Sequence, residues 1–229
     1  PIFRGEYPAD LFAEIADAAL LEAIKPGDLA TIATPIDTLG VNYYHGEFVA
    51  AEESANPPSP SEAPTDRLGH SPYVSSERMF SHERGLPRTN MNWEVQPSGL
   101  TRLLERVQRE YSGPAGVVLY VTENGAAYDD ELVVEGGVTR VHDGERVDFV
   151  RAHLEAILDA IEAGVDVRGY FYWSLLDNFE WAWGYEKRFG IVRVDYDTQM
   201  RTIKDSGLEY GRIIAERRMI PAQTSTEIT

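Results

Sequence analysis

Apolar positions recur along this chain in two periods. From Pro8 to Ile24, Leu11, Phe12, Ile15 and Ala18 lie among Asp10, Glu14 and Asp17, which predicts an amphipathic helix ended by Pro26-Gly27. DTLGVNYYHG, residues 37 to 46, is rich in β-branched and aromatic residues and predicts a short strand. From 47 to about 97 the period is lost, and Pro57, Pro58, Pro60 and Pro64 stand among scattered serines. A loop this long is either a domain linker or a functional loop on a rigid scaffold. GLTRLLERVQREY predicts a helix, with Leu100, Leu103, Leu104 and Val107 on one face. Val117 to Thr122 predicts a strand, and a loop with Asp129, Asp130, Gly136 and Gly137 follows. From Arg146 to about Ala163 a helix carries Phe149, His153, Ala156, Ile157 and Ala160 in one stripe, with Gly164 as its C-cap. VRGYFYWSLL predicts a third strand, FGIVRVDYDTQMR a β-hairpin, and KDSGLEYGRIIAERR a closing helix. The tail, 219 to 229, is polar and expected to fray.

Strand and helix alternate about three times, and the strands are apolar. That pattern implies α/β architecture, a parallel sheet covered by helices. No exact internal repeat is present. A closed (β/α)₈ barrel takes about 250 residues, so three units in 229 residues describe either a small open sheet or part of a barrel.

Composition narrows the chemistry. Net charge is 21 − 38 = −17. Such a chain repels phosphate backbones, so nucleic acid is not an expected partner. With no cysteine, a disulfide scaffold, a thiolate metal site and a cysteine nucleophile are all excluded. No apolar stretch is long enough to span a membrane. No signal peptide is visible, and a cytoplasmic location is the expectation. The start PIFRGEYP, without a methionine, reads as an interior start, which leaves secretion open. His45, His70, His82, His142 and His153 lack metal-ligand spacing. His153 is expected to be packed, and His70 and His82 to be solvated. Asp129, Asp130 and Glu131 read as a solvated acidic loop. No GxGxxG, Walker or GxSxG pattern occurs.

Polar residues cluster where the strands run out: Asn42 and Tyr44, then Glu123 and Asn124, then Asp177, Asn178 and Glu180. In parallel α/β folds the active site lies on that face. Tyr43, Trp173, Phe179, Trp181, Trp183 and Tyr185 accompany them. Flat rings beside carboxylates suit a sugar, because rings stack on C–H bonds and carboxylates accept from hydroxyls.

GVNYY, YVTENGAAYDD and GYFYWSLLDNFEWAWGYEKRFGIVRVDYDTQMRTIKDS resemble, in order, the C-terminal motifs of glycoside hydrolase family 1, the β-glucosidase family. The resemblance implies a (β/α)₈ TIM barrel, of which about the last three units are present. Residues 1–218 would then be the C-terminal part of one barrel domain, with 47–97 as a loop on the active-site side. It implies a retaining β-glucosidase without cofactor or metal. Glu123 would be its nucleophile and Tyr44 the donor that holds it. Asn42, Trp173, Glu180, Trp181 and Phe189 would bind the sugar. Trp183 stands at a position that varies. A glutamate at 180 would repel a phosphorylated sugar, so an unphosphorylated β-glucoside is the expected substrate, with β-galactosides or β-fucosides as minor ones. The family's acid/base glutamate lies in an asparagine-glutamate-proline motif, and no such motif occurs here. A catalytically incomplete barrel, at most a weak sugar binder or a half that docks with an N-terminal partner, is therefore the alternative. TNMNWEV also departs from the family, which usually has an aspartate and a glycine there.

Overall fold

A computed structural model describes residues 1–10, 13, 22–51 and 80–219. Most of the helix expected over Pro8 to Ile24 lies outside the described residues, as do 52–79 and the tail from 220. A short helix, α1 (Asp28–Ile32), leads into β1 (Thr38–Asn42). β2 (Phe48–Ala50) pairs antiparallel with β3 (Phe80–His82). The segment from 47 to 97 is therefore not loop throughout. Both its ends fold back on each other, and an isolated bridge joins Arg88 to Glu94.

Pro97 opens α2 (Pro97–Val107), where a missing N–H costs nothing. A π-helical turn, Gln108–Ser112, continues it. β4 (Val118–Asn124) follows. The expected loop over 129–137 is instead a hairpin, β5 (Glu131–Glu135) with β6 (Val138–His142). Gly136 and Gly137 both take positive φ, 58° and 80°, which is what a two-residue hairpin turn demands. The turn signal was present in the sequence; the exposed, charged strands hid it. α3 (Gly144–Glu162) and β7 (Val167–Tyr172) come next. β7 ends earlier than expected, before Trp173. β8 (Val192–Val194) and β9 (Arg201–Ile203) form the expected hairpin, and α4 (Asp205–Glu216) closes the described chain.

The main sheet is parallel, in the order β1-β4-β7. Its outer face packs on α2 and α3. Val41, Tyr43, Leu100, Leu104, Leu119, Val121 and Ile157 form one buried cluster there. Leu100 and Leu104 meet it from α2 at i, i+4, and Ile157 and Ala160 meet it from α3, whose Phe149 packs instead with Ala126 and Tyr128. His153 is buried as expected, stacked on Phe149 at 3.9 Å.

One irregularity in the sheet decides where Glu123 points. Val41 pairs with Val121, but Asn42 pairs with Glu123, so β4 carries an extra residue at its end. A second shift, between Val121 and Asn124, occurs against β7. Leu119 and Val121 point at the helices, and strict alternation would send Glu123 there too. The bulge gives that place to Asn124, which is fully buried, and turns Glu123 to the open end of the sheet.

Candidate active site

Glu123 lines a cavity of about 650 Å³ at the C-terminal ends of the strands. Tyr44, Trp93, Trp173, Asn178, Phe179, Glu180, Trp181 and Phe189 complete the wall. The Tyr44 hydroxyl donates to Glu123 Oε2 at 2.7 Å. Burial and this bond to a carboxylate push the tyrosine well above its ordinary pKa, so it stays a donor. Its ring meets Phe189 edge-on at 6.1 Å and Trp93 at 5.6 Å. Phe189 is buried and packs with Met91 and Ala127. Glu180 is held above the usual carboxylate range, first by desolvation and then by Glu123. Two carboxylates thus share one partly dry pocket.

Gly125 fixes the backbone behind Glu123. A Cβ there would stand 1.7 Å from the carbonyl oxygen of Trp173, so only glycine lets the two strand-end segments approach. Trp173 N–H in turn donates to Asn124 O at 2.9 Å.

The structure brings Glu123, Tyr44, Trp173, Glu180, Trp181 and Phe189 to one cavity. Trp181 is its rim, 83% exposed. Asn42 is not among the lining residues; its side chain is exposed and accepts from Thr122 Oγ1 at 2.7 Å. Asn124 and Asp177, grouped with the strand-end polar residues in the sequence, have other duties. Asn124 donates to Tyr43 O and accepts from the Tyr170 hydroxyl. Asp177 is buried and paired with Arg188 at 2.6 Å.

The acidic loop is also corrected. Asp129 is exposed and accepts from Asn90 Nδ2 at 2.6 Å, but the side chain of Asp130 is fully buried, 2.9 Å from Arg146. Among the described residues no cluster of histidine and carboxylates could hold a metal ion. None of their helices is long and apolar enough to cross a membrane.

Trp93 escaped the sequence reading because it sits in TNMNWEV, inside the apparent loop. The departures in that stretch have physical reasons. Asn92 takes φ +61°, a conformation that asparagine tolerates better than most residues, and its carbonyl accepts from Arg88. An aspartate at 90 would face Asp129, whereas Asn90 donates to it.

A parallel α/β sheet with carboxylates and aromatic rings gathered at its strand ends defines a carbohydrate-processing class of site. The chain belongs to a particular family of that class, glycosyl hydrolase family 1, which it matches over residues 1–219. It is 48% identical to a 1,4-beta-D-glucan glucohydrolase of Thermotoga neapolitana, over 93% of this chain and 42% of the relative. A psychrophilic beta-glucosidase, BglU, from Micrococcus antarcticus superposes with TM-score 0.87 at 51% identity, over 96% of this chain and 46% of that one. A beta-glucosidase from Thermotoga maritima, solved in complex with deoxynojirimycin, gives TM-score 0.75 at 39% identity, over 96% and 43%. The chain therefore spans less than half the length of these relatives. Its fold is part of the family's (β/α)₈ barrel.

Proposed function

We propose that this chain carries the nucleophile and sugar-binding wall of a retaining β-glucosidase, and that it supplies about the last three units of the barrel. The observation that carries the proposal is the 2.7 Å bond from Tyr44 to Glu123 inside a cavity that also holds Glu180. In the first step a carboxylate oxygen of Glu123 attacks the anomeric carbon, and the bond to the leaving oxygen breaks as that oxygen takes a proton from an acid/base carboxyl. In the second, water gives a proton back to that carboxyl and attacks the anomeric carbon, displacing Glu123 as a free carboxylate and leaving the sugar with its original configuration. Tyr44 holds the attacking group in one orientation, which lowers the entropy cost of reaching the transition state. Glu180 accepts hydrogen bonds from hydroxyls of the sugar, with Trp181 at the rim and Trp173 also in the wall. Burial of Glu180 makes a second anion costly, so an unphosphorylated glucoside is preferred over its 6-phosphate. The complex of the Thermotoga maritima relative with deoxynojirimycin, a sugar-like inhibitor, supports a small glycoside as ligand.

The retaining mechanism also needs an acid/base carboxyl about 5–5.5 Å from the nucleophile. No asparagine-glutamate-proline motif occurs in the 229 residues. That observation favours a second reading, in which this chain alone is catalytically incomplete and acts only once other barrel strands dock on it. Two assays decide. Replacing Glu123 by Gln in a complete enzyme carrying this chain abolishes turnover of an aryl β-glucoside; unchanged turnover overturns the assignment. Good turnover by the purified chain alone overturns the second reading.

A further inference from the structure

Beneath the cavity lies a group of charges that the proposed chemistry does not use. Lys204 Nζ, fully buried, stands 2.6 Å from Asp130 Oδ2 and 3.0 Å from Asp177 Oδ1. Asp130 belongs to the segment that leaves Glu123, and Asp177 to the segment that leads to Glu180. Each acid is anchored again on its own side. Asp130 Oδ1 accepts from Arg146, whose Nε reaches Ala126 O at 3.1 Å and whose Nη2 reaches Arg188 O at 2.8 Å. Asp177 accepts from Arg188 and from the N–H groups of Gly190 and Val194. Asp143, which would ordinarily cap α3, instead binds Arg146 and Ser206. Arg146, Arg188 and Lys204 thus balance Asp130, Asp143 and Asp177.

Such a network is a poor way to gain stability. Desolvating each charge offsets much of what their attraction supplies, and apolar residues of like volume usually do as well. Burial and nearby Arg146 already pull Lys204 below its ordinary pKa, against Asp177 and Asp130. What directional charges supply is a fixed separation between the elements they join. We propose that Lys204 is a positioning residue, whose contacts with Asp130 and Asp177 hold the Glu123 and Glu180 segments at the spacing the cavity requires. This rests on the glycosidase reading for its consequence, though not for its geometry.

The chain has no cysteine, so a pair can be placed without interference. Glu131 and Glu186 are exposed and flank the two segments. With both replaced by Cys and spin-labelled, pulsed electron resonance reads the distance between them. The parent gives one narrow distribution. Lys204→Met broadens or splits it, Lys204→Arg largely restores it, and the core variant Ile157→Ala lowers stability while leaving it narrow. If Lys204→Met does not fold, the charge-balanced pair Lys204→Met with Asp130→Asn takes its place. A distribution as narrow as the parent's in a folded Lys204 variant overturns the proposal, whatever happens to the melting temperature. The same proteins are then treated with an activated 2-deoxy-2-fluoro-β-glucoside. Lys204→Met slows labelling of Glu123 by about tenfold at a temperature where it is fully folded. If the parent takes no label, this chain alone does not form a competent pocket, as the second reading holds, and the distance distributions alone decide the role of Lys204.

Discussion

The two faces of the β1-β4-β7 sheet are made by alternate residues of the same strands, yet they differ sharply. On the outer face Leu119 and Val121 are fully buried under Leu100 and Leu104 of α2. On the inner face Asn42 and Thr122 are exposed, and Phe171 is 58% exposed. Small residues crowd that side too: a Cβ on Gly169 would stand 2.7 Å from the Tyr120 ring. A parallel strand is built to be covered on both faces. Among the described residues, α2 and α3 cover one. The stability of the outer face and the chemistry at the strand ends can therefore be probed by separate substitutions.

Substitutions on each side probe that separation. The largest effect is expected at the strand end, where the bulge in β4 turns Glu123 away from the helices. Glu123→Gln reduces covalent labelling by at least about 10³-fold, because it removes the attacking anion itself. Peptide mapping checks this, and labelling elsewhere in the variant at the parent's rate refutes it. Next comes the outer face. Leu119→Ala costs about 3 kcal/mol in chemical denaturation, by leaving a cavity in a closed core.

His153 on α3 tests the same side by pH. Burial pushes its imidazole down to about 4 from 6.5, so the folded chain prefers the neutral form. The unfolded chain therefore binds more protons between those values. Stability from this group is full above pH 6.5, falls as pH drops towards 4, and is flat below; the whole loss is about 3 kcal/mol. Denaturation midpoints of parent and His153→Gln, compared from pH 8 to 4.5, converge as acid is added if this is right. The smallest effect belongs to the inner face. Phe171→Ala costs this chain less than about 1 kcal/mol, since its ring is already mostly wet. A loss as large as that at Leu119 would erase the distinction between the faces.

Much of this architecture is legible in the sequence. The three parallel strands, the helices over them, and the gathering of Glu123, Tyr44, Trp173, Glu180, Trp181 and Phe189 follow from period, strand-end position and family motif. Other features are hidden for physical reasons. The β5–β6 hairpin exposes Leu132, Val134 and Val138 and fully buries only Val141, so no alternating buried face marks it. Trp93 lies in a stretch without periodicity, although a tryptophan amid polar residues is itself a signal. Asp130 looks solvated because its partners, Arg146 and Lys204, are distant in sequence. The bulge at Glu123 depends on register with two neighbouring strands, which no single strand reveals.

A competent nucleophile in a formed sugar pocket is the property on which the proposed function depends. It is tested most directly by incubation with an activated 2-deoxy-2-fluoro-β-glucoside, followed by intact mass and peptide mapping. The reagent's good leaving group needs little help from an acid, and its fluorine slows hydrolysis of the adduct. One glycosyl adduct, on Glu123, is the predicted result. No adduct, while a full-length relative labels under the same conditions, would contradict it.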